Sequence, residues 1–150
     1  MVNHIRNYLP LGRIGTAGQP TAEQFAAIKA AGYQLVINLA LSDSLYALPD
    51  EAKLVGEQGM VYVHIPVIWE APALNDLEQF FAVMESYRQM RVFVHCVVNK
   101  RASVFVYLYR ILRLRVPAAK ARDALLKIWE PDPVWHRFIS DALCSTSSLD

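Results

Sequence analysis

Three short apolar runs, each set off by segments of helical spacing, constrain the fold of this chain more than any other feature. They cover residues 34–39 (Gln-Leu-Val-Ile-Asn-Leu), 61–67 and 91–95 (Arg-Val-Phe-Val-His). Runs of that length bounded by turn residues read as buried strands. Between them the spacing predicts helices. Residues 20–31 begin with Pro20 and Thr21, with Gln24 placed to complete a capping box, and Gly32 ends the helix. Residues 49–58 are again closed by a glycine, Gly59. Residues 74–89 place Leu77, Phe80, Phe81 and Met84 on one face, with Asn75 as the expected cap. A further helix from about Arg101 carries Val104, Phe105, Leu108 and Ile111. Segments 117–129 and 133–143 complete a helical C-terminal third, and residues 40–48 and 68–72 read as loops. Such alternation predicts an α/β fold with a mainly parallel central sheet flanked by helices.

Composition narrows the classes of function. A chain of 150 residues with 54% hydrophobic and 19% charged side chains is expected to form a single domain with a substantial core. A formal net charge of +1 gives no global field for nucleic acid or an anionic membrane, so neither is an expected partner. No stretch reaches the about 18 apolar residues of a membrane span, and no leader sequence is evident. Cys96 and Cys144 are too few for a disulfide framework, so a reducing, cytoplasmic setting is expected. His4, His64 and His136 show no ligand spacing, and neither a metal nor a cofactor is expected.

The chemistry concentrates in Val92-Phe93-Val94-His95-Cys96-Val97-Val98-Asn99-Lys100-Arg101-Ala102-Ser103. A strand ends at a cysteine, four residues intervene, and an arginine follows where a helix begins. Ligands of open α/β sheets gather beyond the carboxyl ends of strands. A helix N-terminus there offers free N–H groups and a positive dipole end, which favour a thiolate. Arg101 adds a permanently charged fork suited to an oxyanion. The same pattern also fits a structural cysteine before a basic helix start, and spacing alone does not choose between the two.

The His95-Cys96 loop ending at Arg101 resembles the phosphate-binding loop of protein tyrosine and dual-specificity phosphatases. Those enzymes usually place five residues between cysteine and arginine. The shorter spacing resembles a bacterial branch of largely unassigned role, related to a domain fused to β-lactamase-like hydrolases. The resemblance extends to Ala17-Gly18-Gln19-Pro20, to Gly32-Tyr33 with residues 36–39, and to residues 59–67, in the same order, over roughly Leu11 to Arg113.

It implies a three-layer cysteine-phosphatase-like domain that hydrolyses a phosphomonoester or binds another oxyanion. Cys96 would be the nucleophile and Arg101 the phosphate clamp. Backbone N–H groups of Val97, Val98, Asn99, Lys100 and Ala102 would cradle the phosphate. Glu70 would be the general acid, with Asp76 as runner-up. Trp69 would either wall the pocket or cover the core, and Gln19 would approach the pocket. Asn99 stands where glycine is usual, at a sharp backbone turn that asparagine tolerates. Ala102 replaces the usual hydroxyl residue, a role Ser103 takes only if the register shifts by one. With five intervening residues, Ala102 itself would fall at the arginine position and Arg101 would point elsewhere. A rhodanese-like sulfurtransferase, whose loop is also a six-residue anion cradle, and a non-catalytic phosphate-binding module are the alternatives. Arg110, Arg113 and Arg115 read as a solvated helix face.

Overall fold

A computed structural model of the chain describes residues 1–147. A one-turn 3-10 helix at Val2–His4 precedes β1 (Leu9–Leu11) and β2 (Ile14–Ala17). Then follow α1 (Gln24–Ala30), β3 (Leu35–Asn38), α2 (Glu51–Glu57), β4 (Val61–His64), α3 (Leu74–Ser86) and β5 (Val92–His95). The remainder is helical: α4 (Lys100–Leu112), α5 (Ala118–Leu126) and α6 (Pro133–Ser147). The sheet runs β1-β2-β5-β3-β4, and only the β1–β2 pair is antiparallel.

Strand periodicity explains the layers. In β3, Leu35 and Ile37 face one side and Val36 the other; in β5, Val92 and Val94 oppose Phe93. One face packs against α3, α4 and α6 through Phe80, Phe105 and Trp135. The other packs against α1 and α2 through Phe25, Ile28, Tyr33 and Val55. Every residue of β3 and β5 is buried, as a central parallel strand requires.

The glycine stops hold: Gly32 and Gly59 have φ of +96° and +76°, a conformation that side chains rarely adopt. Other expectations need correction. The β1–β2 hairpin was not foreseen, because Pro10 and Gly15 interrupt two very short runs. β4 is half-buried rather than buried, since it is the edge strand and pairs only with β3. The capping box is half formed: the Thr21 N–H donates to Gln24 Oε1 at 2.9 Å, while Glu23 precedes the first helical residue. Asn75 does not cap α3, because Leu74 is already helical and Ala73 holds the cap position. Arg113 and Arg115 are exposed, but Arg110 turns inward beside Ser103 and Tyr107 and its Nη1 is buried without a partner. Among the described residues, no helix is long and apolar enough to cross a membrane.

Candidate active site

β5 delivers Cys96 to the carboxyl edge of the sheet, between the parallel neighbours β2 and β3. The thiol is 1% exposed, and its Sγ accepts the Ala102 N–H at 3.4 Å, so the loop curls back over the sulfur. The turn that permits this is at Asn99, whose φ of +73° is left-handed. Two hydrogen bonds hold that residue there. Its Nδ2 donates to the Asn7 carbonyl at 2.8 Å and to Thr16 Oγ1 at 2.9 Å. Asn7 answers by donating its own Nδ2 to the Val98 carbonyl at 3.0 Å. Asparagine thus tolerates the strained backbone and also ties it to the N-terminal segment, which glycine could not do.

Arg101 lies in the first turn of α4 and is 6% exposed. Its Nη1 donates to the Val67 carbonyl at 2.8 Å, which fixes the plane of the guanidinium. With Trp69, Cys96, Val97, Val98 and Lys100, it lines a cavity of about 240 Å³. Trp69 packs against Trp129 and Trp135, and its carbonyl accepts the Trp135 indole N–H at 3.1 Å.

Several anticipated residues lie elsewhere. Gln19 is behind the loop: its N–H donates to the Val97 carbonyl at 2.9 Å, and its Nε2 donates to Glu51 Oε1 at 2.7 Å. Glu70 is exposed on the turn that follows the cavity wall and is not among the lining residues. Asp76 sits in the first turn of α3, where burial pushes its carboxyl up. Ser103 is committed away from the sulfur. Its hydroxyl donates to the Lys100 carbonyl at 2.9 Å and accepts the Trp129 indole N–H at 3.1 Å. Ala102 is fully buried and offers no hydroxyl.

A buried polar chain lies under the loop; its His95 is the residue expected to orient the loop through hydrogen bonds, while its Glu51 escaped sequence reasoning. His95 Nε2 lies 2.7 Å from Glu51 Oε2, and its Nδ1 lies 3.2 Å from the Cys96 carbonyl. Both ring nitrogens therefore have an oxygen within hydrogen-bond distance. Burial opposes ionisation of Glu51. The hydrogen bonds and charge of His95, the Gln19 amide and the charge of His64 outweigh it and hold the carboxyl below its ordinary range. The same carboxylate helps push the half-buried Tyr62 hydroxyl up to about 12, after burial itself. At the first turn of α2, Glu51 reads in sequence as an ordinary solvated dipole partner, and nothing local marks it as 3% exposed. Gly18, which the resemblance places on a loop near the pocket, has a packing reason: a Cβ there would lie 2.5 Å from the Val97 carbonyl, so only glycine lets the β2 end approach the loop. Among the described residues, no group of His, Cys, Asp and Glu side chains could hold a metal ion.

Comparison with known proteins agrees with this frame. The family "DSP-PTPase phosphatase fused to NAD+ Kinase" matches residues 12–128. The chain belongs to that family of dual-specificity-type phosphatase domains. A solved structure from Shewanella putrefaciens CN-32, a "putative phosphatase (DUF442)", is 35% identical, with a TM-score of 0.87 over 97% of this chain and 96% of that one. Two more distant structures share the fold. The core catalytic domain of the PP-IP phosphatase SIW14 from S. cerevisiae, in complex with citrate, is 14% identical, with a TM-score of 0.74 over 96% of this chain and 93% of that one. TpbA from P. aeruginosa is 16% identical, with a TM-score of 0.68 over 97% and 86% respectively. Among curated proteins, no sequence match is found.

Proposed function

We propose that the protein is a cysteine-dependent phosphatase that hydrolyses a phosphomonoester through a phosphocysteine at Cys96. The observation that carries this reading is the shared cavity of Cys96 and Arg101, with the Ala102 N–H directed at the sulfur. The Cys96 thiolate attacks phosphorus, and the bond to the leaving oxygen breaks. Arg101 and the loop N–H groups meet the charge on the equatorial oxygens. The leaving oxygen takes a proton from Glu70, assigned because it is exposed on the turn directly after Trp69 of the cavity wall. Water then attacks phosphorus, the S–P bond breaks, and inorganic phosphate leaves with the thiolate restored.

With alanine at 102 and Ser103 committed elsewhere, no loop hydroxyl assists the departing thiolate. The second step is therefore slow and the intermediate accumulates. Rapid acid quench with a ³²P-labelled aryl phosphate is expected to give a burst of label mapping to Cys96. Turnover with no label on Cys96 overturns the reading. A persulfide on Cys96 after thiosulfate would instead identify a sulfurtransferase, and phosphate binding without turnover a binding module.

Glu70→Gln tests the acid separately. We expect kcat/KM for an alkyl phosphate to fall about 10²-fold, the usual scale for one general acid. For an aryl phosphate with an acidic leaving group, the loss is slight. Equal effects on both substrates would remove Glu70 from the role.

A further inference from the structure

Two cations face the Cys96 cavity, and neither has a carboxylate partner. Among the described residues, the ion pairs are His95–Glu51 and His136–Glu130, so Lys100 and Arg101 stand outside both. Arg101 is buried in the first turn of α4 and, on the phosphatase reading, placed for one phosphoryl group. Lys100 is differently held. Its Nζ lies 5.9 Å from the centroid of the Trp69 ring and 5.3 Å from that of Trp129. A lysine that only solvates a surface extends into water, whereas this one is half-buried against two indole faces. Its ammonium lies beside both rings, the residue lines the cavity, and the group carries three hydrogen-bond donors.

The size of the cavity points the same way. At about 240 Å³ it offers the space of several water molecules, each about 30 Å³. Held by the loop and Arg101, a single phosphoryl group leaves room beside Trp69 and Lys100. An ammonium bordering that room is uncompensated when the ligand carries only one anionic group. A second anion there gains a charge-assisted hydrogen bond without displacing Lys100 from the indoles.

We propose that Lys100, seated on Trp69 and Trp129, forms a second-anion subsite beside the phosphate loop. The preferred substrate carries a second anionic group, phosphate or carboxylate, next to the phosphoryl group that is transferred. This rests on the phosphatase reading above and adds to it the substrate class.

Calorimetric titration of the intact protein with inorganic phosphate and with pyrophosphate, at low ionic strength, tests the subsite. The more highly charged pyrophosphate also gains at Arg101, so the decisive quantity is the change in the affinity ratio on substitution. Lys100→Met is expected to reduce the pyrophosphate-to-phosphate ratio about tenfold, the scale of one charge-assisted hydrogen bond. Lys100→Arg is expected to retain most of it. Comparing kcat/KM for carboxyphenyl phosphate and phenyl phosphate in the same proteins separates a carboxylate-bearing substrate from one with a second phosphate. An unchanged ratio in Lys100→Met, with both ligands still bound, overturns the subsite and leaves the phosphatase reading intact. Failure of the wild-type protein to bind either anion overturns both.

Discussion

Cys96→Ser is expected to lower turnover of an aryl phosphate by at least about 10⁴-fold while phosphate still binds. Removing a nucleophile from a machinery that acts as a unit has effects of that order or larger. Serine is nearly isosteric, so the Ala102 N–H and the curl of the loop survive the change. On the proposed phosphatase reading, what is lost is the sulfur nucleophile, because a serine hydroxyl forms no covalent intermediate at a useful rate. Arg101→Lys gives the complementary result. The lysine ammonium cannot reproduce the planar fork that donates to the Val67 carbonyl at 2.8 Å while presenting further donors to the cavity. An activity loss of about 10³-fold with weakened phosphate binding is expected, on the scale of losing preorganised oxyanion donors. Steady-state kinetics and phosphate titration on both variants check the pair. Substantial activity in Cys96→Ser would exclude covalent catalysis at that residue.

The second large effect concerns stability. Glu51→Ala leaves His95, which is 0% exposed, without the carboxylate 2.7 Å from its Nε2. Breaking one partner of a buried pair typically costs about 3–5 kcal/mol, a large share of a domain's total stability. Urea unfolding is expected to show a loss of unfolding free energy of that size, read as a lowered midpoint at unchanged slope. Glu51→Gln should lose less, because an amide oxygen still accepts from His95. The pH dependence has a definite sign. The folded carboxyl of Glu51 lies below its ordinary range, so its contribution is complete above the ordinary, unfolded value of 4.5. It is lost as pH falls through the lower folded value. Wild type should therefore lose stability on acidification through that window more steeply than Glu51→Gln. Equal slopes in the two proteins would show that Glu51 does not ionise in the fold.

What sequence reading caught and missed has a common physical basis. Strands β3 and β5 were legible because burial on both faces demands near-continuous apolar residues. The glycine stops were legible because left-handed backbone carries a residue preference. Asn99 could be read the same way, as a non-glycine residue suited to a sharp turn. Partnerships across the sheet were not legible. Glu51 and His95 are 44 residues apart, and nothing near either announces the other. Ser103 offered a hydroxyl beside the arginine, but whether it faced the sulfur depended on Trp129, which claims it from 26 residues away. Arg110 looked solvated for a similar reason: the residues that enclose it come from β1, β2 and α5.

The paired asparagines carry a consequence for how the site comes into being. Asn7 and Asn99 bond to each other's segments across separations of 91 and 92 residues. Contacts that close so long a stretch of chain are slow to form, because the entropy of closure is lost before the bonds compensate. The strand bearing Cys96 can pair with β3 first, and α4 can wind from its own local bonds. The left-handed turn at Asn99 still lacks two of its anchors until the first seven residues dock. The full anchoring of the Cys96 loop is therefore expected late in folding, set by the arrival of a segment that contributes no residue to the cavity itself.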